Sequence, residues 1–203
     1  MATHSPLDAV RAEPAVRAHF LALGLRALER ADPEVRGAVL GAFRAEADAV
    51  PALPALRWLS VGLLLDMTEA ALERGGPEAL RAMVHDTMRL AFESPLWRAI
   101  VRGMIATFGL TPPKVARWAP VAYRLAFRAT GTMSVPRSDA RSALIVFRGV
   151  PELCRARGAY VDALGYALEF FFELTESQGA VVRVAAAEED SSGETLAFEL
   201  SVG

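Results

Sequence analysis

Few residues in this chain have the type and spacing that chemistry requires. Cys154 is the only cysteine, and Arg155 and Arg157 close behind it could lower its pKa and make the thiol nucleophilic. The interpretation we favour is a half-buried small residue at the start of a helix. A single cysteine excludes an internal disulfide and a cysteine-based zinc cluster, and it is typical of a protein of the reducing cytoplasm.

The candidate ligands for a metal or a haem are the three histidines, His4, His19 and His85. Arg81 and Arg89 lie one helical turn before and after His85, and Asp86 follows it directly. This spacing places His85 on a charged face of a helix, opposite the apolar one. We therefore expect a solvated histidine there, and no metal site.

The common catalytic and nucleotide-binding motifs are absent from the sequence. It contains no Gly-x-Ser-x-Gly elbow, no Walker A loop and no Gly-x-Gly-x-x-Gly fingerprint. The acidic run Glu188, Glu189 and Asp190 could attract a cation, but its spacing is not that of an EF-hand, and we interpret it as a solvated hairpin tip. The sequence thus predicts a protein that is not an enzyme and has no cofactor.

Aromatic side chains are the remaining candidates for a site. They could line an apolar pocket between helices and a sheet, or form an interface with another chain. The alternative is plain core packing. The candidate residues are Trp97, Trp118, Tyr123, Phe147, Tyr160, Tyr166, Phe170 and Phe172.

Three consecutive phenylalanines occur in the segment DALGYALEFFFELTES, residues 162–177. At about 100° per residue on a helix, Phe171 faces the predicted core, and Phe170 and Phe172 project to its two sides. We expect Phe171 on the sheet and its two neighbours against other helices or a partner chain. The acidic stripe opposite is predicted to face water and excludes a membrane anchor; it consists of Asp162, Glu169, Glu173 and Glu176.

Helical periodicity dominates the first two-thirds of the chain. Pro33 follows the predicted N-cap Asp32, and Gly75-Gly76 followed by Pro77 predicts the end of one helix and the start of the next. Pro95 and Pro120 are expected to bend or divide their helices. The predicted helical segments are residues 32–50, 51–76, 77–109 and 111–131.

Near residue 131 the apolar period changes from that of a helix to that of a strand. GTMSVPRSD and ARSALIVFRGV predict two strands, and AVVRVAAAEEDSSGETLAFELSV after the phenylalanine helix predicts a hairpin. The fold class is therefore α+β: four to five helices in residues 1–130, then β-β-α-β-β in residues 131–203. We expect an antiparallel sheet with helices on one face, in one integrated domain.

Composition excludes several classes of partner. The net charge of −2 and pI of about 6.0 argue against general nucleic-acid binding. The first residues lack a basic start followed by an apolar run, so they do not resemble a signal peptide. Asp66 ends the longest apolar tract well short of the ~20 residues that a membrane span requires. We expect a soluble, cytoplasmic protein.

Long stretches of the chain resemble a known family. RWLSVGLLLDMTEAALERGGPEALRAMVHDTMRLAFESPLWRAIVRG, PVAYRLAFRATG and FRGVPELCRARGAYVDALGYALEF are similar to uncharacterised proteins of roughly 200 residues that are expanded as paralogues in myxobacteria. The resemblance covers most of the chain from about Arg57 onward. It lies in pattern and order, without a single diagnostic motif.

The order of elements is also distantly similar to the 4-vinyl reductase, TRAPP and haem-NO-binding group of α/β domains. That resemblance implies a small-ligand sensor or an assembly module. Haem-NO-binding domains need a proximal histidine before the sheet and a Tyr-x-Ser-x-Arg set. The matching strand here reads LIVFRGVPELC, and the set is absent, so the resemblance does not extend to haem.

Two functions follow from these observations. The first is a non-catalytic interaction or assembly module in a signalling or regulatory context, which pairs as a homodimer or docks on a protein partner; the apolar excess favours it. The alternative is a sensor domain that binds an apolar small molecule in a pocket between helices and sheet. An enzyme is a third possibility, carried by fold analogy alone.

Overall fold

A computed structural model describes residues 13–30, 33–42, 48–94, 98, 103, 111–185 and 195–203. The helices are α1 (Ala18–Leu28), α2 (Pro33–Ala42), α3 (Gly62–Glu93), α4 (Pro112–Ala116), α5 (Ala119–Ala126), α6 (Glu152–Arg155) and α7 (Gly158–Leu174). The strands are β1 (Ala15–Arg17), β2 (Trp58–Ser60), β3 (Phe127–Arg128), β4 (Thr132–Ser138), β5 (Ser142–Arg148), β6 (Gly179–Val184) and β7 (Leu196–Val202). The predicted α+β class, with helices before an antiparallel sheet, is confirmed.

The larger sheet has the strand order β4-β5-β7-β6, and every neighbouring pair is antiparallel. Both predicted hairpins are present in it. Alternate residues of β5 and β7 point into the core because side chains of a strand alternate between its two faces. The inward residues are all buried: Ala143, Ile145, Phe147, Leu196, Phe198 and Leu200.

A second sheet, with the order β2-β1-β3, was not predicted. Val16 in β1 pairs with Leu59 in β2 and with Phe127 in β3. Strands of two or three residues are too short to show an alternating pattern in the sequence. This sheet holds Phe127 against two other rings: its centroid lies 4.9 Å from that of Tyr123 and 5.3 Å from that of Phe20.

Helix α3 bends where the sequence predicts a helix boundary. Gly76 has φ 72° and ψ −174°, outside helical values, and Pro77 follows it. A positive φ favours glycine because it has no Cβ, and proline fits the first turn of the helix that resumes. The bend separates a first part, residues 62–75, from a second part, residues 77–93, which packs along α7.

The buried apolar side chains form two clusters. One lies between the larger sheet and α7, with Phe147, Ile145 and Leu200 among its fully buried members. The other lies among α1, α2 and α3 and includes Leu21 and Leu80. Leu64 and Phe127 pack against both clusters and so mark their junction.

Several sequence predictions fall on residues outside the described ranges. They are the N-cap Asp32, the bend at Pro95, Trp97, and the acidic run at 188–190. Within the described ranges, no helix combines the length and apolar character that a membrane crossing requires.

Candidate functional site: an apolar cavity between helices and sheet

A cavity of about 150 Å³ lies at the junction of the two clusters. Side chains from both parts of the chain line it: α1, α3, α4 and α5 contribute from the helical part, and β4, β5 and α7 from the part that follows. Residues that show this range are Phe20, Met67, Met83, Trp118, Phe147 and Leu164. The cavity therefore exists only because the helices and the sheet pack together.

The described lining contains no charged side chain and no histidine. The hydroxyl groups of its two threonines donate hydrogen bonds within their own helix. Thr68 Oγ1 donates to the Leu65 carbonyl at 2.8 Å, and Thr87 Oγ1 donates to the Met83 carbonyl at 2.7 Å. Apolar walls with few free polar groups favour an uncharged occupant, since burying an unpaired charge is costly.

Two tyrosines of the lining, Tyr123 and Tyr160, have hydroxyl groups that are close to each other. Tyr123 Oη lies 2.8 Å from Thr130 Oγ1 and 3.1 Å from the Thr130 carbonyl, and 3.4 Å from Tyr160 Oη. Burial raises the pKa of Tyr123 and raises that of Tyr160 well above the ordinary value. Both phenols therefore stay protonated at neutral pH and can act as hydrogen-bond donors.

Cys154 is not a reactive thiol. It is fully buried, and burial raises its pKa to about 11. Arg155 and Arg157 do not offset this, because Arg155 binds Glu152 and the Val150 carbonyl, and Arg157 pairs with Asp66 and Glu69. The nucleophile hypothesis is wrong because desolvation of the thiolate outweighs two guanidinium groups that face other partners.

The prediction of a solvated His85 is also wrong. Its side chain is only 17 % exposed, and Nδ1 lies 3.2 Å from Glu173 Oε2. Its ring meets that of Phe170 edge to face, at 5.9 Å between centroids. The partners come from α7, a helix that the sequence does not place beside His85. His85 faces away from the cavity and does not line it.

His85 belongs to a set of charges that joins α3 to α7, which we call the outer seam: Arg81, His85, Asp86, Arg89, Glu169 and Glu173. Arg81 Nε lies 2.8 Å from Glu169 Oε2, and Arg89 Nη2 lies 2.6 Å from Glu173 Oε1. The bond to Glu173 raises the pKa of Arg89. Glu169 and Glu173 were predicted to face water; they face the arginines of α3 instead.

Four of the eight candidate aromatic residues line the cavity: Trp118, Tyr123, Phe147 and Tyr160. Tyr166, Phe170 and Phe172 lie outside the lining, and Trp97 lies outside the described residues. Phe170 packs on Phe92 of α3, with 5.5 Å between ring centroids. Phe172 packs on Gly179 of β6, where an added Cβ would come within 2.2 Å of its ring, so the expectation that it packs against helices or a partner chain is wrong. Phe171 belongs to the sheet-side cluster, as predicted, and it also lines the cavity, which was not predicted.

The sequence predictions missed the methionines. Four of the six methionines in the chain line the cavity, namely Met67, Met83, Met88 and Met133. Methionine is unbranched and adapts to irregular space, and it is common at surfaces that bind varied apolar partners. The available signal was the position of Met67, Met83 and Met88 on apolar helix faces, whereas Met133 lies on β4. Within the described ranges, no group of three or more histidine, cysteine or carboxylate side chains could hold a metal ion.

Solved structures with a similar fold are H-NOX domains. One is an oxygen-binding H-NOX domain related to soluble guanylate cyclases, in its oxygen complex, with a TM-score of 0.63 and 11 % identity over 92 % of this chain and 94 % of that one. Another is the unliganded Fe(II) H-NOX protein from K. algicida, with a TM-score of 0.60 and 10 % identity over 92 % and 96 %. A third comes from work on haem redox potential and porphyrin distortion, with a TM-score of 0.62 and 12 % identity over 91 % and 99 %.

At 10–12 % identity these similarities establish the fold. They agree with the predicted similarity to haem-NO-binding α/β domains. No family model matches the chain, and no curated protein matches it in sequence. The resemblance to the myxobacterial family stays a prediction.

Proposed function

We propose that this protein is a sensor domain that binds an uncharged, apolar small molecule in the cavity between its helices and its sheet. The observation that carries the proposal is the cavity itself, about 150 Å³ in volume and lined by apolar side chains from both parts of the chain. The fold shared with oxygen-binding H-NOX domains supports a role in small-molecule binding. An engineered apolar cavity of about the same volume in another protein stays dry and binds benzene.

The stability cost of the cavity also supports a ligand. Side chains that border empty space lose the contacts they would make in a filled core, and this loss lowers stability. A ligand that fills the space recovers these lost contacts. The ligand binds most tightly to the arrangement of helices and sheet that encloses it best. Binding therefore shifts the protein towards that arrangement, and such a shift is how a sensor responds to its ligand.

Haem, the group that H-NOX domains are known for, does not fit these residues. Its iron is held by histidine, by a cysteine thiolate, by tyrosine, or by methionine with histidine. His19 and His85 lie outside the lining, His4 lies outside the described residues, and the buried phenols are protonated. The described lining also has no basic side chain for the propionates.

The test is a melting experiment on the purified protein with ethylbenzene as the uncharged probe and phenylacetate as its charged control. Ligand at 100 times its Kd stabilises a protein by about 2.7 kcal/mol, so we expect a clear rise in Tm with ethylbenzene and none with phenylacetate. Native mass spectrometry of the protein from its own cells adds a search for a bound molecule. The proposal fails if no apolar probe shifts the Tm and no bound mass is found.

Haem is the third arm of this experiment. We expect no saturable change in the Soret band when haem is added to the protein. A stoichiometric haem complex would show that haem does fit these residues, and the protein would then be a candidate haem-binding sensor.

The interaction module is the second candidate, and one observation favours it. Leu56 and Leu125 are 66 % and 44 % exposed, and Arg17 binds the backbone carbonyls of both residues, which brings them close together. An exposed apolar pair of this kind suits a protein contact. Light scattering tests it: a dimer that becomes a monomer in Leu56→Ser supports the module, and a strict monomer with no copurifying partner removes it.

The remaining expectations are proposals of the same kind. We infer a non-catalytic protein of the cytoplasm, in which residues 1–130 and 131–203 form one integrated domain and neither part encloses the cavity alone. The absence of an internal disulfide supports the cytoplasm. Limited proteolysis tests the domain proposal: one cooperative unfolding transition and no stable fragment ending near Gly131 are expected.

A further inference from the structure

Tyr160 is a buried residue of the cavity lining whose hydroxyl group has one long hydrogen bond among the described residues. The residue is 2 % exposed. Its hydrogen-bond partner among the described residues is the Tyr123 hydroxyl, 3.4 Å away. Hydrogen bonds between hydroxyl groups are normally 2.5–3.0 Å long, so this contact is weak. A buried phenol normally finds a good partner.

The Tyr123 hydroxyl can only accept in its contact with Tyr160. Its one proton is donated to Thr130, whose Oγ1 and carbonyl oxygen lie 2.8 Å and 3.1 Å away. Thr130 is itself fully buried, which holds this part of the network in place. The network therefore ends at Tyr160, whose proton has only a distant acceptor.

We propose, on the basis of the proposed function, that Tyr160 donates a hydrogen bond to the ligand, and that the ligand class is an uncharged apolar molecule with one hydrogen-bond acceptor, such as a ketone, an ester or an ether. The apolar walls bind the body of the molecule, and the single donor fixes its orientation. A hydrocarbon leaves the phenol as poorly satisfied as before. A carboxylate is excluded because the described lining offers it no cation.

Two probes of nearly equal shape test this inference. Acetophenone and ethylbenzene differ in a carbonyl group that replaces a methylene, so the ratio of their Kd values reports the acceptor. Acetophenone also loses more hydration on binding, and that loss is the same for every variant. The decisive quantity is therefore the change of the ratio between the wild-type protein and Tyr160→Phe, measured by calorimetric titration.

We expect Tyr160→Phe to shift the ratio against acetophenone by about three- to tenfold, the usual net worth of one hydrogen bond. Tyr166→Phe is the matched control: Tyr166 lies on the same helix but outside the lining, and its variant keeps the wild-type ratio. A ratio that is the same in wild type and Tyr160→Phe overturns the inference and leaves the proposed function standing. If neither probe binds the wild-type protein and no bound mass is found, the inference and the proposed function are overturned together.

A second measurement needs no variant and keeps the inference open to test if Tyr160→Phe does not fold. A carbonyl that accepts a hydrogen bond absorbs at a lower infrared frequency than the same carbonyl in a hydrocarbon solvent. We expect carbon-13-labelled acetophenone bound to the wild-type protein to show the lower frequency. A band at the frequency found in hexane means that no donor contacts the carbonyl, and that result overturns the inference.

Discussion

The helices α3 and α7 have opposite chemistry on the two sides of their contact. On the cavity side, residues such as Met83, Leu164 and Phe171 surround empty space and carry no charge. On the other side, the outer seam contains paired charges, with Arg81 on Glu169 and Arg89 on Glu173. The two sides therefore differ in what they contribute to the contact between the helices. The void costs stability, and we expect the ion pairs to help fix the spacing of the two helices.

We expect the inner side to contribute most of the stability and the outer side to fix the alignment of the two helices. Apolar burial contributes kcal/mol per side chain, whereas exposed ion pairs contribute about 0–1 kcal/mol. Single substitutions on the two sides test this expectation.

Phe171→Ala has the largest expected effect. Phe171 is 5 % exposed and belongs to the sheet-side cluster, so its loss removes contacts and enlarges the cavity. We expect the free energy of unfolding to fall by about 3–5 kcal/mol, measured by urea denaturation. Arg81→Ala on the outer side should cost less than about 1 kcal/mol. A loss below about 1 kcal/mol for Phe171→Ala contradicts its place in the core.

Ala163→Leu comes next and fills the cavity from α7. Ala163 lines the cavity, and three added carbon atoms take up space that a ligand needs. We expect ethylbenzene affinity to fall at least about tenfold, a change of about 1.4 kcal/mol, while the empty protein melts at the same or a higher temperature. Ala82→Leu, on the exposed outer side of α3, is the matched control. If Ala163→Leu binds ethylbenzene as the wild-type protein does, the ligand lies elsewhere.

Alkaline pH should weaken the sheet-side cluster, which contains Cys154, more than the seam. The pKa of Cys154 rises from 9.0 to about 11 on folding, so the unfolded chain releases this proton first. The native state therefore loses stability as pH increases from about 9 towards 11, and a two-unit shift gives a loss of about 1 kcal/mol by pH 10. Burial acts in the same direction on Tyr123 and Tyr160.

Denaturation at pH 8, 9 and 10 measures this loss. Cys154→Ala starts from lower stability because it leaves a small void, but its stability should fall less between pH 8 and pH 10. Equal slopes for the two proteins would show that the thiol titrates normally and is exposed to water.

Glu173→Gln has the smallest expected effect. It weakens the contacts of Glu173 with His85 and Arg89, and we expect a loss of about 0.5–1 kcal/mol that shrinks as salt is raised. Glu78→Gln is the control, since Glu78 lies beside the seam with no ion pair among the described residues. Ethylbenzene affinity measured for Glu173→Gln sharpens the comparison: a change there means that the seam sets the spacing of the cavity walls.

Long, regular patterns in the sequence predicted most of the fold. The alternation of Ala143, Ile145 and Phe147 is sufficient to predict β5, and Gly76 with Pro77 is sufficient to predict the bend in α3. The small sheet could not be predicted, because Val16, Leu59 and Phe127 lie far apart in the chain and each strand has at most three residues. Nothing local distinguishes such strands from the ends of loops.

The site was predicted only in part. Tyr123, Phe147 and Tyr160 do line the cavity, and Cys154 is the small residue at a helix start that the sequence favoured, but the environment of His85 was inferred from its sequence neighbours alone. The partners of His85 come from α7, which the sequence does not place beside it. Burial and pKa depend on contacts that only the tertiary fold creates.

The small sheet also has a consequence for how a ligand reaches the cavity. Strand β3 has only two residues, and one of them, Phe127, is part of the cavity wall. Short strands at the end of a sheet open locally at a far lower free energy than the whole domain unfolds. Separation of β3 from β1 would release Phe127 and admit a molecule while the larger sheet stays intact. Fraying of these two residues would therefore speed ligand exchange without unfolding of the domain.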